Sequence, residues 1–436
     1  MLDVSPRAPS APAEVPRTLD EPAPRTLGLL DQLGLWGNLG VSLLGFTGAV
    51  AVLQPGGPGG PRLSLVAALV ATVVGTALGS AAIAATAALG ARTGAPSMVL
   101  LRGLFGARAS AVPTVLNVVQ MLGWGTFEIV TISSALARVV PGPPRWLWVL
   151  VVGLLTTALA LRPLGWVRLL RRYVSVLVVL ALGYLLLAVP SPHQASGGWT
   201  GFSAAVDTAL AVAVSWVPMA ADYARHSRST RAAAVGAFVG YGVLQVCCYA
   251  VGLVAALQGD VFGVFLAVPL GVAAFLVLVG RELDQSFANV YSTTVSLQNL
   301  RPGWDRRVVS SAVGVLTTGL ALGVQIDDYA GFLLLIGSVF VPLTGVLLAD
   351  WLLLRGSGWD LSAAAPARPL MLLPWALGFV TYQLLNPGGV SGWSALWQRA
   401  DAALGLVPPA WASASLVSFL VAAAATASVH VLRRRR

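Results

Sequence analysis

The sequence predicts an all-α protein that crosses a membrane many times. Hydrophobic residues make up 57% of the 436 residues, whereas charged residues make up only 10%. Mean hydropathy is +0.80, while soluble domains usually carry about 25% charged residues. Apolar runs of about 20 residues recur along the chain, and each is long enough to cross a bilayer as a helix.

The apolar runs divide into twelve predicted spans, which we number in chain order. They cover 31–53, 63–89, 111–138, 146–161, 173–190, 203–222, 233–256, 263–298, 308–325, 329–354, 368–386 and 408–432. The Pro/Ala-rich residues 1–27 are predicted to form a disordered cytoplasmic tail. A basic tail, 433–436, follows span 12.

The placement of arginine supports this count. All 27 basic residues are arginine. Of these, 22 lie in the two tails and in every second loop, 4 lie in the alternate loops, and 1 lies within a span. Cytoplasmic loops carry the excess of basic residues, so both termini are predicted to be cytoplasmic in a plasma-membrane protein. The net charge of +10 is therefore explained by the arginines of the cytoplasmic loops and tails, and no nucleic-acid partner is expected.

Several kinds of chemistry are not expected. Without lysine there is neither a Walker A motif nor a Schiff-base lysine. Cys247 and Cys248 are adjacent, and the three histidines are scattered, so no metal or redox cofactor is indicated. No nucleophile–base set occurs in the spans, so an enzyme is not predicted.

Charged residues near the middle of two spans indicate a functional site. A charge at the bilayer centre costs roughly 2.5–3.5 kcal/mol on insertion scales and tends to mark a transport pathway. Glu128 lies in span 3, and Arg281, Glu282 and Asp284 lie in span 8. The alternative is that Arg281 and Glu282 pair with one another or with neighbouring helices as structural ions.

Spans 1 and 6 are predicted to be interrupted. Span 1 contains "LGLWGNLGVSLLGFTGA", with five glycines, and span 6 contains Pro218 just after Trp216. Interrupted helices at corresponding positions of two halves point to a binding site at the bilayer midplane. If residues 28–190 and 200–355 form two repeats, the second of them inverted, span 1 corresponds to span 6 and span 3 corresponds to span 8. Close helix packing is the alternative explanation of the glycines.

Four stretches resemble the nucleobase:cation symporter-1 family, the purine–cytosine permeases. They are "LGARTGAPSMVLLRGLFGARASAVPTVLNVVQMLGW" (89–124), "SWVPMAADYARHSRS" (215–229), "FANVYSTTVSLQNL" (287–300) and "GSVFVPLTGVLLADWLLLR" (337–355). The resemblance covers about 28–355. It implies twelve helices in a five-plus-five inverted repeat, as in amino-acid symporters, with two extra helices in 366–432 and alternating access by a rocking bundle.

The resemblance also implies a substrate site. A planar base would stack on Trp124, and Glu128, one turn later, would hydrogen-bond to it. In span 6 the aromatic residue of the family is missing near Ala213, so Trp216 is expected to supply the second stacking face. The predicted substrate site is completed by Gln120, Asn38 and Ser286.

A coupling-cation site is implied as well. Family members bind sodium through span 1 carbonyls, here at about Gly40 to Leu44, and through span 8 hydroxyls, which fall on Asp284 and Gln285. A carboxylate at Asp284 is a departure that could bind Na⁺ as a hard oxygen ligand or bind a proton instead. Two charge pairs or gates are predicted: Arg281 with Glu282, and Asp222 with Arg225.

The sequence thus predicts a secondary transporter that imports a nucleobase or related heterocycle with Na⁺ or H⁺. Cytosine or another aminopyrimidine is favoured, because an ionised Glu128 only accepts hydrogen bonds. The alternatives are a purine, allantoin, a hydantoin, a hydroxymethylpyrimidine thiamine precursor, or an amino acid. A channel is less favoured, since discrete charged sites on spans 3 and 8 suit a carrier. The oligomeric state is not predicted.

Overall fold

The chain is almost entirely helical in a computed structural model. The structure describes residues 15–55, 57, 60–165, 173–190, 197–324, 329–354, 359–390, 392–409 and 411–434. Residues 1–14 of the predicted N-terminal tail, and Arg435 and Arg436 of the predicted basic tail, lie outside this part. Within it the all-α prediction is confirmed.

Seventeen helices are described within these ranges. They are α1 Leu29–Leu39, α2 Leu43–Leu53, α3 Leu65–Thr93, α4 Ser97–Phe105, α5 Ala111–Val139, α6 Arg145–Ala160, α7 Ser175–Ala188, α8 Phe202–Val214, α9 Val217–Ala224, α10 Thr230–Ala256, α11 Val261–Ala267, α12 Gly271–Leu300, α13 Arg306–Gly323, α14 Tyr329–Leu354, α15 Leu372–Leu385, α16 Trp393–Leu404 and α17 Ala414–Arg434. Helix α10 includes a π-helical segment, Gly236–Tyr241.

The protein is a multi-pass membrane protein. In the described part of the chain, six helical segments are long and apolar enough to cross a membrane: α3, α5, α8 with α9, α10, α14 and α17. The bent pair α1 and α2 makes a seventh. Predicted spans 4, 5 and 11 correspond to the shorter apolar helices α6, α7 and α15. Helix α12 is 30 residues long but carries the three charges of span 8.

Predicted span 1 is broken near its middle. Helices α1 and α2 are bent by 59° relative to one another. Ser42 caps the second half by accepting a hydrogen bond from Leu44 N at 3.1 Å. A Cβ added to Gly40 would lie only 2.6 Å from the Tyr241 carbonyl oxygen. Glycine is therefore required here because the break lies directly against α10.

Predicted span 6 is interrupted more mildly: α8 and α9 form one spanning segment, Phe202–Ala224, with a two-residue turn at Ser215 and Trp216. Pro218 lies in the first turn of α9, where the missing N–H costs no intrahelical bond. Span 8 was expected as one helix over 263–298, and this is wrong. Pro269 removes a backbone donor, and Leu270 has a left-handed φ of 54°, so the chain turns between α11 and α12.

The predicted disordered tail needs a correction for residues 15–27, which are packed on the protein. Arg17 O accepts from Gln298 Nε2 at 2.7 Å and from Arg306 N at 2.9 Å. Leu27 is fully buried, and its N–H donates to His226 O at 2.9 Å. Backbone carbonyl and N–H groups of the segment are thus hydrogen-bonded to residues at or near the ends of helices.

Candidate functional site

A small cavity lies where the breaks of spans 1 and 6 face α5, α10 and α12. Six predicted site residues line it: Gly40, Leu44, Trp124, Glu128, Trp216 and Gln285. They come from four separate predicted spans, namely 1, 3, 6 and 8. The structure therefore gathers most of the predicted substrate and cation residues at one place.

The cavity has aromatic walls. Trp124 on α5 is 8% exposed and lies edge-on to Phe332, with ring centroids 5.2 Å apart. Trp216, at the break of span 6, lies near Tyr241 on α10, with centroids 6.4 Å apart. Flat aromatic faces of this kind suit a planar ring, because stacking is tolerant of the identity of the ring.

Three buried polar atoms in the cavity wall lack hydrogen-bond partners among the described residues, namely Glu128 Oε2, Asn289 Nδ2 and Gln245 Oε1. Oε2 of Glu128 has no hydrogen-bond donor, and Nδ2 of Asn289 has no acceptor. Both side chains line the cavity. An unsatisfied buried polar group costs about 1–3 kcal/mol, so a ligand that presents one donor and one acceptor would relieve the first two.

The charged residues of span 8 fill the break in span 1. The carboxylate of Glu282 accepts from Leu43 N at 3.0 Å and from Ser42 Oγ at 2.7 Å, at the start of α2. Arg281 Nη2 donates to Asn38 O at the end of α1. A negative group at a helix N-terminus and a positive group at a C-terminus both match the helix dipoles. The pair therefore satisfies backbone groups that a membrane interior leaves without water.

Gln285 contributes one helical turn further along α12. Its Nε2 donates to Leu39 O at 2.8 Å and to Val41 O at 3.2 Å. Arg281, Glu282 and Gln285 therefore form one face of α12 that holds both halves of span 1. The sequence reasoning did not foresee this role, since it arises only from the tertiary contact between α12 and the break.

The site is dense in buried charge. Arg281 Nη1 and Glu282 Oε2 are 2.9 Å apart, and both side chains are at most 1% exposed. Glu128 on α5 lies near enough to interact electrostatically with both members of this pair. Two carboxyl groups and one guanidinium thus share the space beside the cavity.

Four residues predicted to bind substrate do not line the cavity. Gln120 Nε2 donates to Ser215 O, a carbonyl at the break of span 6, at 3.2 Å. Ser286 Oγ lies 2.8 Å from Thr156 Oγ1 on α6. Asn38 Nδ2 donates to Ser175 Oγ at 3.2 Å, and Ala213 packs on α3 at Gly79. The framework around the cavity thus includes all four residues: Asn38, Gln120, Ala213 and Ser286.

The remaining predicted charges lie outside the cavity wall. Asp284 is buried, and its Oδ2 has no partner among the described residues. Asp222 and Arg225 have separate partners. Asp222 accepts from Ser97 N at 2.9 Å and so caps α4, while Arg225 donates to the Tyr291 hydroxyl at 3.3 Å.

The sequence reasoning missed several residues of the cavity wall. Asn289 lies on α12 one turn beyond Gln285 and two turns beyond Glu282, so helical spacing could have found it. Tyr241, Gln245 and Tyr249 come from α10. No charge or interruption marks span 7, so only the packing of α10 on the break reveals them.

The family of the chain follows from a comparison with known protein families. A family described as "Permease for cytosine/purines, uracil, thiamine, allantoin" matches residues 34–364. The chain belongs to this family. It is accordingly a membrane transporter of the nucleobase:cation symporter-1 type and not an enzyme. No curated protein sequence matches the chain at a significant level.

Solved structures show the same fold. The symporter-1 family transporter Mhp1, closed with bromovinylhydantoin bound, superimposes with a TM-score of 0.69 and 16% identity over 94% of this chain and 99% of that one. Inward-facing Mhp1 superimposes with a TM-score of 0.67 and 15% sequence identity, over 98% of this chain and 96% of that one. MhsT in complex with L-phenylalanine superimposes with a TM-score of 0.55 and 16% sequence identity, over 89% of this chain and 98% of that one. At these identities the likeness concerns the fold.

Proposed function

We propose that this permease imports a nucleobase or related heterocycle by cation symport with alternating access. The observation that carries the proposal is the cavity between Trp124 and Trp216, with Glu128 Oε2 and Asn289 Nδ2 both free to bind a ligand. Aromatic walls suit a planar ring, and the two polar atoms suit a ring edge that both donates and accepts.

Cytosine or a related aminopyrimidine is the favoured substrate. Its amino group is a donor for Glu128, and its ring carbonyl is an acceptor for Asn289. Uracil has a carbonyl oxygen where cytosine has the amino group, so in the same orientation it would place an acceptor against the acceptor oxygen of Glu128. Purines, allantoin, hydantoins and hydroxymethylpyrimidines are the next candidates, since several belong to the range of the family.

The proposed architecture is twelve transmembrane helices with a five-plus-five inverted repeat. Breaks in spans 1 and 6, and buried polar residues in spans 3 and 8, support this arrangement, because each pair falls at equivalent positions of the two halves. The excess of arginine in alternate loops supports cytoplasmic termini.

The experiment is uptake of labelled cytosine into proteoliposomes that contain the full-length protein. One arm has an inward Na⁺ gradient, and the other has an inward proton gradient. Accumulation above that in protein-free liposomes in either arm is the expected result. Inhibition by leucine or alanine, and not by bases, would instead identify an amino-acid carrier. If neither cytosine nor any competing heterocycle were transported, the proposed function would be wrong.

A further inference from the structure

Helix α10 presents one amide side chain to the cavity, between two tyrosines. Tyr241, Gln245 and Tyr249 all line the cavity, and they are spaced by four residues, so they lie on one face of the helix. Gln245 is 1% exposed. Its backbone lies against the break of span 1, where a Cβ added to Gly40 would be 3.1 Å from Gln245 N. Gln245 is thus at the middle of the wall that α10 contributes.

The orientation of the Gln245 amide is fixed by the hydrogen bonds of its nitrogen. Nε2 donates to Thr76 Oγ1 on α3 at 3.0 Å and to Ala209 O on α8 at 3.1 Å. A backbone carbonyl oxygen only accepts hydrogen bonds, so a flipped amide would place Oε1 against Ala209 O, acceptor against acceptor. The amide nitrogen of Gln245 therefore faces α3 and α8, and both of its N–H groups are used there.

The oxygen of the same amide is left without a partner. Gln245 Oε1 is buried and accepts no hydrogen bond from any described residue. Buried polar atoms of native proteins are nearly always paired, because an unpaired one has lost its hydration without compensation. Oε1 cannot turn away without breaking the two hydrogen bonds of Nε2. Since Gln245 lines the cavity, a donor on a bound ligand is the group that satisfies this oxygen.

The cavity thus offers two acceptors and one donor to a ligand. The acceptors are Glu128 Oε2 on α5 and Gln245 Oε1 on α10, and the donor is Asn289 Nδ2 on α12. A ligand that satisfies all three atoms must bring two donors and one acceptor. Cytosine has these groups. Its amino group and its ring carbonyl are used by Glu128 and Asn289 in the proposed mode of binding, which leaves the N–H of ring nitrogen N1 for Gln245.

We propose that Gln245 is a specificity-determining residue that accepts a hydrogen bond from the ring N1–H of the substrate. The site then selects free bases and disfavours bases that carry a substituent at N1, as nucleosides do. The inference rests on the proposed function, because it requires a base in the cavity. It adds to that function a third recognition group, which Thr76 and Ala209 hold in the orientation of an acceptor.

The first measurement is competition with labelled cytosine for binding to the purified full-length wild type. N1-methylcytosine lacks the ring N1–H but keeps the amino group, whereas pyrimidin-2-one lacks the amino group but keeps the ring N1–H. Each analogue leaves one buried acceptor unpaired, so each should bind about 5- to 150-fold more weakly than cytosine. Binding of N1-methylcytosine as tight as that of cytosine would overturn the proposal.

The second measurement repeats the competition in Gln245→Leu. Leucine removes the acceptor and offers an apolar surface to the added methyl group, so the ratio of the affinities for cytosine and N1-methylcytosine should fall to near one. The ratio for cytosine and pyrimidin-2-one should stay as in the wild type. The control is Gln258→Leu, just beyond the end of α10, where Nε2 donates to Pro190 O at 2.6 Å outside the cavity. Both ratios should there match the wild type.

These measurements separate a failure of this inference from a failure of the proposed function. If Gln245 only supported helix packing, Gln245→Leu would weaken all three ligands by the same factor, and the role in specificity would be overturned while cytosine binding stood. Binding of neither cytosine nor any other heterocycle to the wild type would overturn both. If Gln245→Leu does not fold, equal binding of cytosine and N1-methylcytosine by the wild type would still overturn the inference.

Discussion

At the scale of single residues, Glu128 connects the substrate cavity to the charged break. It was predicted from its position in span 3, where a single carboxylate has no sequence neighbour to pair with, and from the family resemblance, which places it one turn after Trp124. The structure places it in the cavity wall, with Oε2 free and Glu282 close by.

Glu128→Gln should relax the preference for cytosine over uracil. The amide of glutamine can donate as well as accept, so an edge of carbonyl groups no longer leaves it unsatisfied. Discrimination by one such hydrogen bond is expected to fall by roughly tenfold, which corresponds to about 1.4 kcal/mol. The measurement is competition of unlabelled cytosine and uracil for labelled cytosine binding. An unchanged ratio of the two inhibition constants would remove Glu128 from base recognition.

The buried position of His226, just after the end of α9, leads us to expect that the folded protein loses stability in acid. Burial lowers its pKa to about 3, and its Nδ1 lies 3.0 Å from Pro24 O, to which it donates. Because an unfolded histidine titrates near 6.5, the unfolded state binds the proton first. Stability is full above about pH 6.5 and is lost towards pH 3, by about 1.4 kcal/mol per pH unit.

The check is the Tm of wild type and His226→Gln at pH 7 and pH 5.5. Glutamine can keep a donor for Pro24 O but does not titrate. The wild type should lose more Tm on acidification than the variant does. Equal losses in the two proteins would assign the acid sensitivity to other groups.

At the scale of helices, the sequence predicted the interruptions but not what fills them. Glycines and Pro218 mark the breaks of spans 1 and 6 because their effect is local to the backbone. That Arg281 and Glu282 clamp the two halves of span 1 depends on how α12 lies against α1 and α2, which no local pattern encodes. The end of α11, two residues before Pro269, was missed because the surrounding residues are continuously apolar.

Gly40→Ala should damage the break of span 1. The new methyl group would lie 2.6 Å from Tyr241 O and 3.1 Å from Gln245 N, both backbone atoms of α10. Overpacking of this kind typically costs about 1–3 kcal/mol. The Tm and cytosine uptake of the variant should both fall.

The matched control is Gly183→Ala in α7, where a Cβ meets no atom within 4 Å. Alanine favours the helix by about 1 kcal/mol there, so stability should hold or rise slightly. If Gly40→Ala behaved like Gly183→Ala, the close approach of α10 would not constrain the break.

At the scale of the whole molecule, the cavity lies between two interrupted spans and the long helices α5 and α12. The last helices are tied to α14 through Asp350. This carboxylate is bound by Arg368 at 2.8 Å, by His430 of α17 at 2.6 Å and by Trp359 at 2.7 Å. None of these residues lines the cavity, whose wall is formed by residues between Leu39 and Asn289.

The most direct test is equilibrium binding of labelled cytosine to the purified protein, in wild type, Trp124→Ala and Trp411→Ala. Trp411 is 78% exposed and lies outside the cavity, so it is the matched control. Loss of one stacking face costs about 1–3 kcal/mol, so Trp124→Ala should bind about 5- to 150-fold more weakly, while Trp411→Ala should match the wild type. Cytosine binding that is equally tight in Trp124→Ala would contradict a base-binding site in this cavity.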